Sequence, residues 1–287
     1  MKFLLHSGLA LLLLSSVGSA CADPALWKIQ RGDSTVYLFG TVHVLPPDTH
    51  WHYAALDDAL TASNVLYVEL VDDDQATMQP LVTQYGIDVA HPLSSELSAA
   101  DEARVTAAAQ TAGLPPQALD VMKPWLAALT LTVAPIIKAG FDPDSGVDKQ
   151  LRSEFSSSGK PVRGLETAEQ QIRYFADLPQ PLEISLLRST LDDYDKAATE
   201  LAELVQDWRQ GDVAAIAALE NSDMREKYPA LYKILLTERN GRWAQRIAQL
   251  LQQHGTVFIA VGAAHLAGPD DVQNQLRKLG ITVIRVH

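Results

Sequence analysis

Two short runs of β-forming apolar residues near opposite ends of the chain are each followed at once by Gly-x-x-His. Val36-Tyr37-Leu38-Phe39 leads into Gly40-Thr41-Val42-His43, and Val257-Phe258-Ile259-Ala260-Val261 leads into Gly262-Ala263-Ala264-His265. Continuous apolar runs of this length suit strands buried on both faces of a sheet, which helices must then cover. With 16 Gly and 8 His in 287 residues, chance supplies roughly half a Gly-x-x-His match, so the strings alone carry little. The strand before each carries more. It sets each His just beyond the carboxyl end of a buried strand, the edge at which open α/β sheets bind ligands. The plain alternative for either His alone is a hydrogen-bonded turn residue.

The rest of the chain fits an α/β (α+β) fold whose sheet is formed by both ends. Leu26–Gln30 and Thr35–Val42 read as a hairpin around Arg31-Gly32-Asp33-Ser34, a linker of turn composition. A helix over Tyr53–Ser63 and a strand over Val65–Leu70 complete a βαβ unit. A large helical insertion follows, from about residue 75 to 253. Ser98-Ala99-Ala100-Asp101 opens one of its helices in the manner of a capping box. Trp125–Ile137 reads as a buried core helix, too short to span a membrane. Lys160–Leu165 resembles a short strand leading to Glu166, and the helical stretch after Leu182 is broken near Gly211 and Pro229. After the strand ending at Val261, a helix over Asp270–Leu279 and a strand over Ile281–Val286 close the chain.

Residues 1–22 read as a signal peptide: Lys2, an apolar stretch from Leu4 to Val17, then Gly18-Ser19-Ala20-Cys21-Ala22 with small residues at the cleavage position. The protein is therefore expected to be exported, periplasmic or secreted, with no transmembrane helix in the mature chain. Cleavage after Ala22 removes Cys21, the one cysteine, and with it any disulfide, thiolate metal site or cysteine-protease mechanism. The alternative is cleavage before Cys21 and a lipid anchor there. A net charge of −12 argues against nucleic acid as a partner, since backbone binding needs a basic face.

Glu69, at the end of the Val65–Val68 run, is the natural third member of a site. A buried carboxylate at a sheet edge must be paired or bound to a cation. Glu166 is a second candidate, with the helix dipole as its alternative explanation. Two imidazoles and one or two carboxylates form a set suited to a divalent cation, which would acidify a bound water; a glutamate can instead act as general base. No Gly-x-Ser-x-Gly elbow, His-Glu-x-x-His helix or phosphate loop occurs in the sequence.

With these residues in view, the chain resembles the TraB/PrgY/GumN family, related to the TIKI proteins, and within it the exported GumN-like branch. The resemblance runs from Ala25-Leu26-Trp27-Lys28-Ile29 and Tyr37–Pro46 through Val68-Glu69-Leu70 and Gly164-Leu165-Glu166-Thr167. It ends with Glu238-Arg239-Asn240-Gly241-Arg242-Trp243 and Val261–Gly268. It implies a single domain over residues 23–287 with an erythromycin-esterase-like or ChaN-like fold. It also implies a site of His43, Glu69 and His265, completed by Glu166, Arg239 and Asn240. Arg239 is expected to stabilise an oxyanion and Asn240 to orient substrate. TIKI members are metal-dependent proteases, so the resemblance implies a metal-dependent hydrolase, a peptidase acting on a peptide or protein. Its metal would be Mn, Co or Zn, held by His43, His265 and Glu69. The competing expectations are a non-catalytic envelope protein that binds a peptide signal or a haem-like ligand, and an accessory role in exopolysaccharide production.

Overall fold

The computed structural model describes residues 23–287; the signal peptide and the Cys21 anchor expected above lie outside the described residues. The chain folds as α/β around one six-stranded sheet. Its strands are β1 (Leu26–Arg31), β2 (Ser34–Thr41), β3 (Val65–Val68), β4 (Val162–Gly164), β5 (Gly255–Gly262) and β6 (Ile284–Arg285), in the order β4-β3-β5-β2-β1-β6. β1 and β2 form the expected hairpin, and β6 pairs antiparallel with β1. The other neighbours are parallel. β5 lies between β2 and β3, so a strand from near the end of the chain splits the βαβ unit near its start.

Both faces of the sheet are apolar, as continuous strand runs require. Phe39, Leu66, Val68 and Phe258 face Leu56, Leu151, Phe155 and Trp208. Leu38, Tyr67, Ile259 and Val261 face Trp243, Ile247, Leu250 and Leu276. Full burial of one such side chain contributes about 1.5–3 kcal/mol.

β4 lies inside the stretch expected to be a helical insertion and joins the sheet beside β3, dividing the insertion in two. The helix Pro124–Lys138 is buried along its first half, at Trp125, Ala127, Ala128 and Leu131, but Val133 and Ile137 are exposed. The expectation of a buried core helix is corrected here: its second half leaves Val133 and Ile137, four residues apart and so on one face, uncovered. Among the described residues no helix is long and apolar enough to cross a membrane. Ser98 caps Ala99–Ala112 by accepting the Asp101 N–H.

Two breaks in the second helical stretch bear on the site. Ala217–Asn221 and Lys233–Thr237 are π-helical turns, a form often found at functional sites. Asn221, buried at the end of the first, donates to the carbonyls of Ala264 and Ala267 at 3.0 and 2.9 Å and so clamps the turn that carries His265. The second leads directly into the helix Glu238–Leu250, whose first turn carries Arg239 and Asn240.

Candidate functional site

The insertion of β5 brings the two Gly-x-x-His segments side by side, with Thr41 paired to Gly262 in parallel register. Each glycine makes room for the other motif. A Cβ on Gly40 would lie 3.2 Å from the Cα of Ala263. A Cβ on Gly262 would lie 3.2 Å from Glu69 Oε1, 3.4 Å from His43 Nε2 and 3.7 Å from His265 Cδ2. His43, Glu69 and His265 thus converge on one point at the carboxyl edge of the sheet. The motifs differ in conformation: the first continues as a strand to Thr41, whereas the second turns into the 3-10 helix Ala263–Leu266.

Glu69 and Glu166 are set side by side by the backbone, because Glu166 N–H donates to the Glu69 carbonyl at 2.9 Å. Arg239 joins them. It donates from Nη2 to Glu69 Oε2 at 2.6 Å and to Glu166 Oε2 at 2.7 Å, and from Nε to Glu166 Oε1 at 3.0 Å. Its Nη1 donates to His265 Nε2 at 3.2 Å and to the Leu235 carbonyl at 3.3 Å. Tyr174 and Gln171 donate to the remaining positions on Glu166. Glu69 Oε1 accepts the Gly262 N–H at 2.7 Å. Burial by itself would raise the Glu69 pKa, but the facing His265, Arg239 and His43 and the Gly262 N–H outweigh it and bring it down to about 2.

The two histidines have opposite surroundings. His265 is buried and packed at a tilt against Trp243, with ring centroids 4.5 Å apart. Its Nδ1 donates to Asn240 Oδ1 at 2.6 Å, which leaves Nε2 as the acceptor that Arg239 uses. Burial, helped by the positive charges of Arg239 and His43, lowers its pKa to about 3. His43 instead has 60% of its side-chain surface open to a cleft, and its Nδ1 donates to Asp148 Oδ1 at 3.1 Å. Desolvation on its inner side would lower its pKa. Asp148 and Glu69 prevail and raise it to about 9.

The His265 shift has a consequence for stability. Below its ordinary value of 6.5 the ring binds a proton when unfolded but not when folded. The unfolded state then holds more protons, so stability falls with falling pH. Unfolding free energy is expected to decline from about pH 6.5 towards 3, and His265→Gln should flatten that decline. Equal slopes for the two proteins in urea titrations would overturn this assignment.

Asp148 is a site residue that sequence reasoning missed. It stands in the first turn of the helix Val147–Ser157. There a lone Asp looks like an ordinary helix-start residue. The available signal was Gly146 before it. A side chain at Gly146 would collide with the His43 carbonyl, and Val147 N–H donates to the Val42 carbonyl at 3.0 Å. Only a glycine there lets this helix start against the first motif. Thr41, within that motif, was also passed over. Its buried Oγ1 has no hydrogen-bond partner. Thr41 lines a cleft of about 220 Å³ with His43, Glu69, Asp73, Asp148 and Gln171.

Two expected roles are corrected. Arg239 has no N–H left for an oxyanion, since all five serve the bonds above. Asn240 lies behind His265, 1% exposed, and its amide donates to the Asp270 carbonyl, so it orients the imidazole rather than substrate. The donors also do not fit the expected divalent cation. The His265 Nε2 lone pair is taken by Arg239, which leaves His43 and Glu69, one fewer than the three protein ligands of a catalytic centre. Among the described residues no three His, Cys, Asp or Glu groups are arranged around one cation position.

These features define an α/β protein with a polar cleft built by both ends of the chain over a buried carboxylate–guanidinium network. The TraB/PrgY/gumN family profile matches residues 25–285, and the chain belongs to this family. It is similar to the uncharacterized protein YbaP of Escherichia coli (strain K12), 25% identical over 257 residues that cover 88% of this chain and 92% of YbaP. YbaP of Shigella flexneri shows the same identity and coverage. An uncharacterized protein of Treponema pallidum (strain Nichols) is 21% identical over 266 residues, covering 88% of this chain and 80% of that protein. No solved structure matches the chain, so the likeness to erythromycin-esterase-like and ChaN-like folds rests on the family resemblance alone.

Proposed function

We propose that the chain is a hydrolase that cleaves an amide bond of a peptide or protein substrate by acid–base chemistry at His43 and Glu69, outside the cytoplasm. The observation that carries this reading is the approach of His43 Nε2 and Glu69 Oε1 to one point beside Gly262, in a cleft open to solvent. A water at that point would attack the carbonyl carbon and lose its proton to Glu69. A carboxylate with so low a pKa is a weak base, but the water's proton becomes strongly acidic as its bond to carbon forms. The imidazolium of His43, held by Asp148, would give its Nε2 proton to the departing nitrogen. The proton on Glu69 then returns to His43 and restores the starting state. The two carboxylic partners of Arg239 stay fixed throughout, and His265 braces Arg239 from the far side.

The cleft is smaller than the 300–1,000 Å³ typical of pockets that enclose a drug-sized ligand. An extended chain lying across an open cleft fits it better than an enclosed haem-like group. The composition of residues 1–22 supports action outside the cytoplasm. The test is hydrolysis of a fluorogenic peptide library by the purified chain, by His43→Ala and by Glu69→Gln. Equilibrium peptide binding with no turnover by the wild type would replace this reading with the non-catalytic one.

In this reading the unpartnered Thr41 hydroxyl, in the lining of the cleft, would turn to donate to the carbonyl oxygen as it gains charge. Thr41→Val keeps the shape and removes one hydrogen bond, so kcat/KM should fall about tenfold while Tm holds steady. An unchanged kcat/KM would remove Thr41 from the reaction.

A further inference from the structure

Arg239 lies at the centre of the charged network of this site. Its guanidinium is nearly buried, with 11% of the side chain exposed, and sits between the rings of Tyr174 and Trp243, 5.3 and 4.8 Å from their centroids. Its N–H groups meet both carboxylates, Glu69 and Glu166, and the one imidazole nitrogen that Asn240 leaves free to accept. The rings fix the plane of the guanidinium and the carboxylates fix its in-plane direction. A divalent cation bound to Glu69 and His265 would have to displace the Nη1 proton from His265. It would then stand against a fixed positive charge.

We infer that Arg239 is the resident cation of this centre, filling with a guanidinium the position at which Glu69, Glu166 and His265 would otherwise hold a divalent metal. The inference concerns the site of the proposed hydrolase but is read by cation binding rather than turnover, so either can fail without the other. It makes Arg239 a positioning residue. Its bonds hold Glu69 Oε1 towards the cleft and keep the uncharged form of His265 in place. It also predicts that removing the guanidinium creates a metal site from residues already present.

The experiment is calorimetric titration of the chelator-treated full chain with Mn²⁺, Co²⁺ and Zn²⁺, for wild type, Glu69→Gln, His265→Ala, Arg239→Gln and Arg239→Gln/Glu69→Gln. The wild type should show no uptake that Glu69→Gln abolishes. Arg239→Gln should bind one equivalent at least tenfold more tightly than the wild type, and its Tm should rise on adding the metal. The added Glu69→Gln change should cancel both effects. Stoichiometric uptake by the wild type, lost in Glu69→Gln or His265→Ala, would overturn the inference. So would a folded Arg239→Gln chain that gains no affinity. If Arg239→Gln does not fold, the wild-type titration decides alone, because a Glu69-dependent site there contradicts the inference and its absence upholds it.

Discussion

Replacing Arg239 with methionine is expected to cost the fold about 3–5 kcal/mol, the penalty for removing one partner from a buried ion pair. The variant leaves Glu69 and Glu166 buried next to each other, with side-chain exposures of 13% and 3%, and strips His265 Nε2 of its donor. Methionine replaces much of the volume between Tyr174 and Trp243, so a cavity contributes little to the loss. The remedy open to the protein is to protonate a carboxylate, so the variant should lose less stability at pH 5 than at pH 7. A chemical denaturation series at both pH values checks this, and Tm near neutrality should fall by about 10 °C. A loss below about 1 kcal/mol would show that the network is not the brace its five hydrogen bonds describe.

The second large effect is on turnover. Glu69→Gln and His43→Ala should each reduce kcat/KM by about 10²–10⁴-fold, the range for removing a positioned base or acid. The pH profile separates the two roles. His43 acts in its charged form, so activity should fall as pH rises through about 9. Asp148→Asn weakens the bond that favours the charged ring, and should move that alkaline limb to lower pH while leaving the fold intact. A limb that stays in place in Asp148→Asn would mean that another group sets it.

Much of this site could be read before any coordinates, and what could not has physical causes. The apolar runs ending at Phe39, Val68 and Val261 identify buried strands because neighbouring residues on a strand face opposite ways and here both faces are covered. Once those strands are placed, His43, Glu69 and His265 fall on the same edge. The position of β5 between β2 and β3 was not legible, because strand order depends on pairings hundreds of residues apart. Without that order, the mutual fit of Gly40 and Gly262 has no signal. Arg239 was recognised by the company it keeps in sequence, but its function was misjudged. A sequence shows a donor; it does not show that every proton is already committed. Asp148 was hidden for the converse reason, since its local setting at a helix start explains an Asp without reference to His43.

The order of the strands also governs when this protein can first act. Until residue 262 has left the ribosome, β2 and β3 have an open seam between them, and neither His265 nor Gly262 is present to complete the edge. A chain shortened by its last thirty residues has His43, Asp148, Glu69 and Arg239, yet lacks the strand that joins β2 to β3. Closing the sheet requires contacts between the extremes of the sequence, which fold slowly compared with local ones. The centre is thus complete only when the two ends of the chain pair. A nascent copy that has not yet made residue 262 therefore lacks the completed cleft.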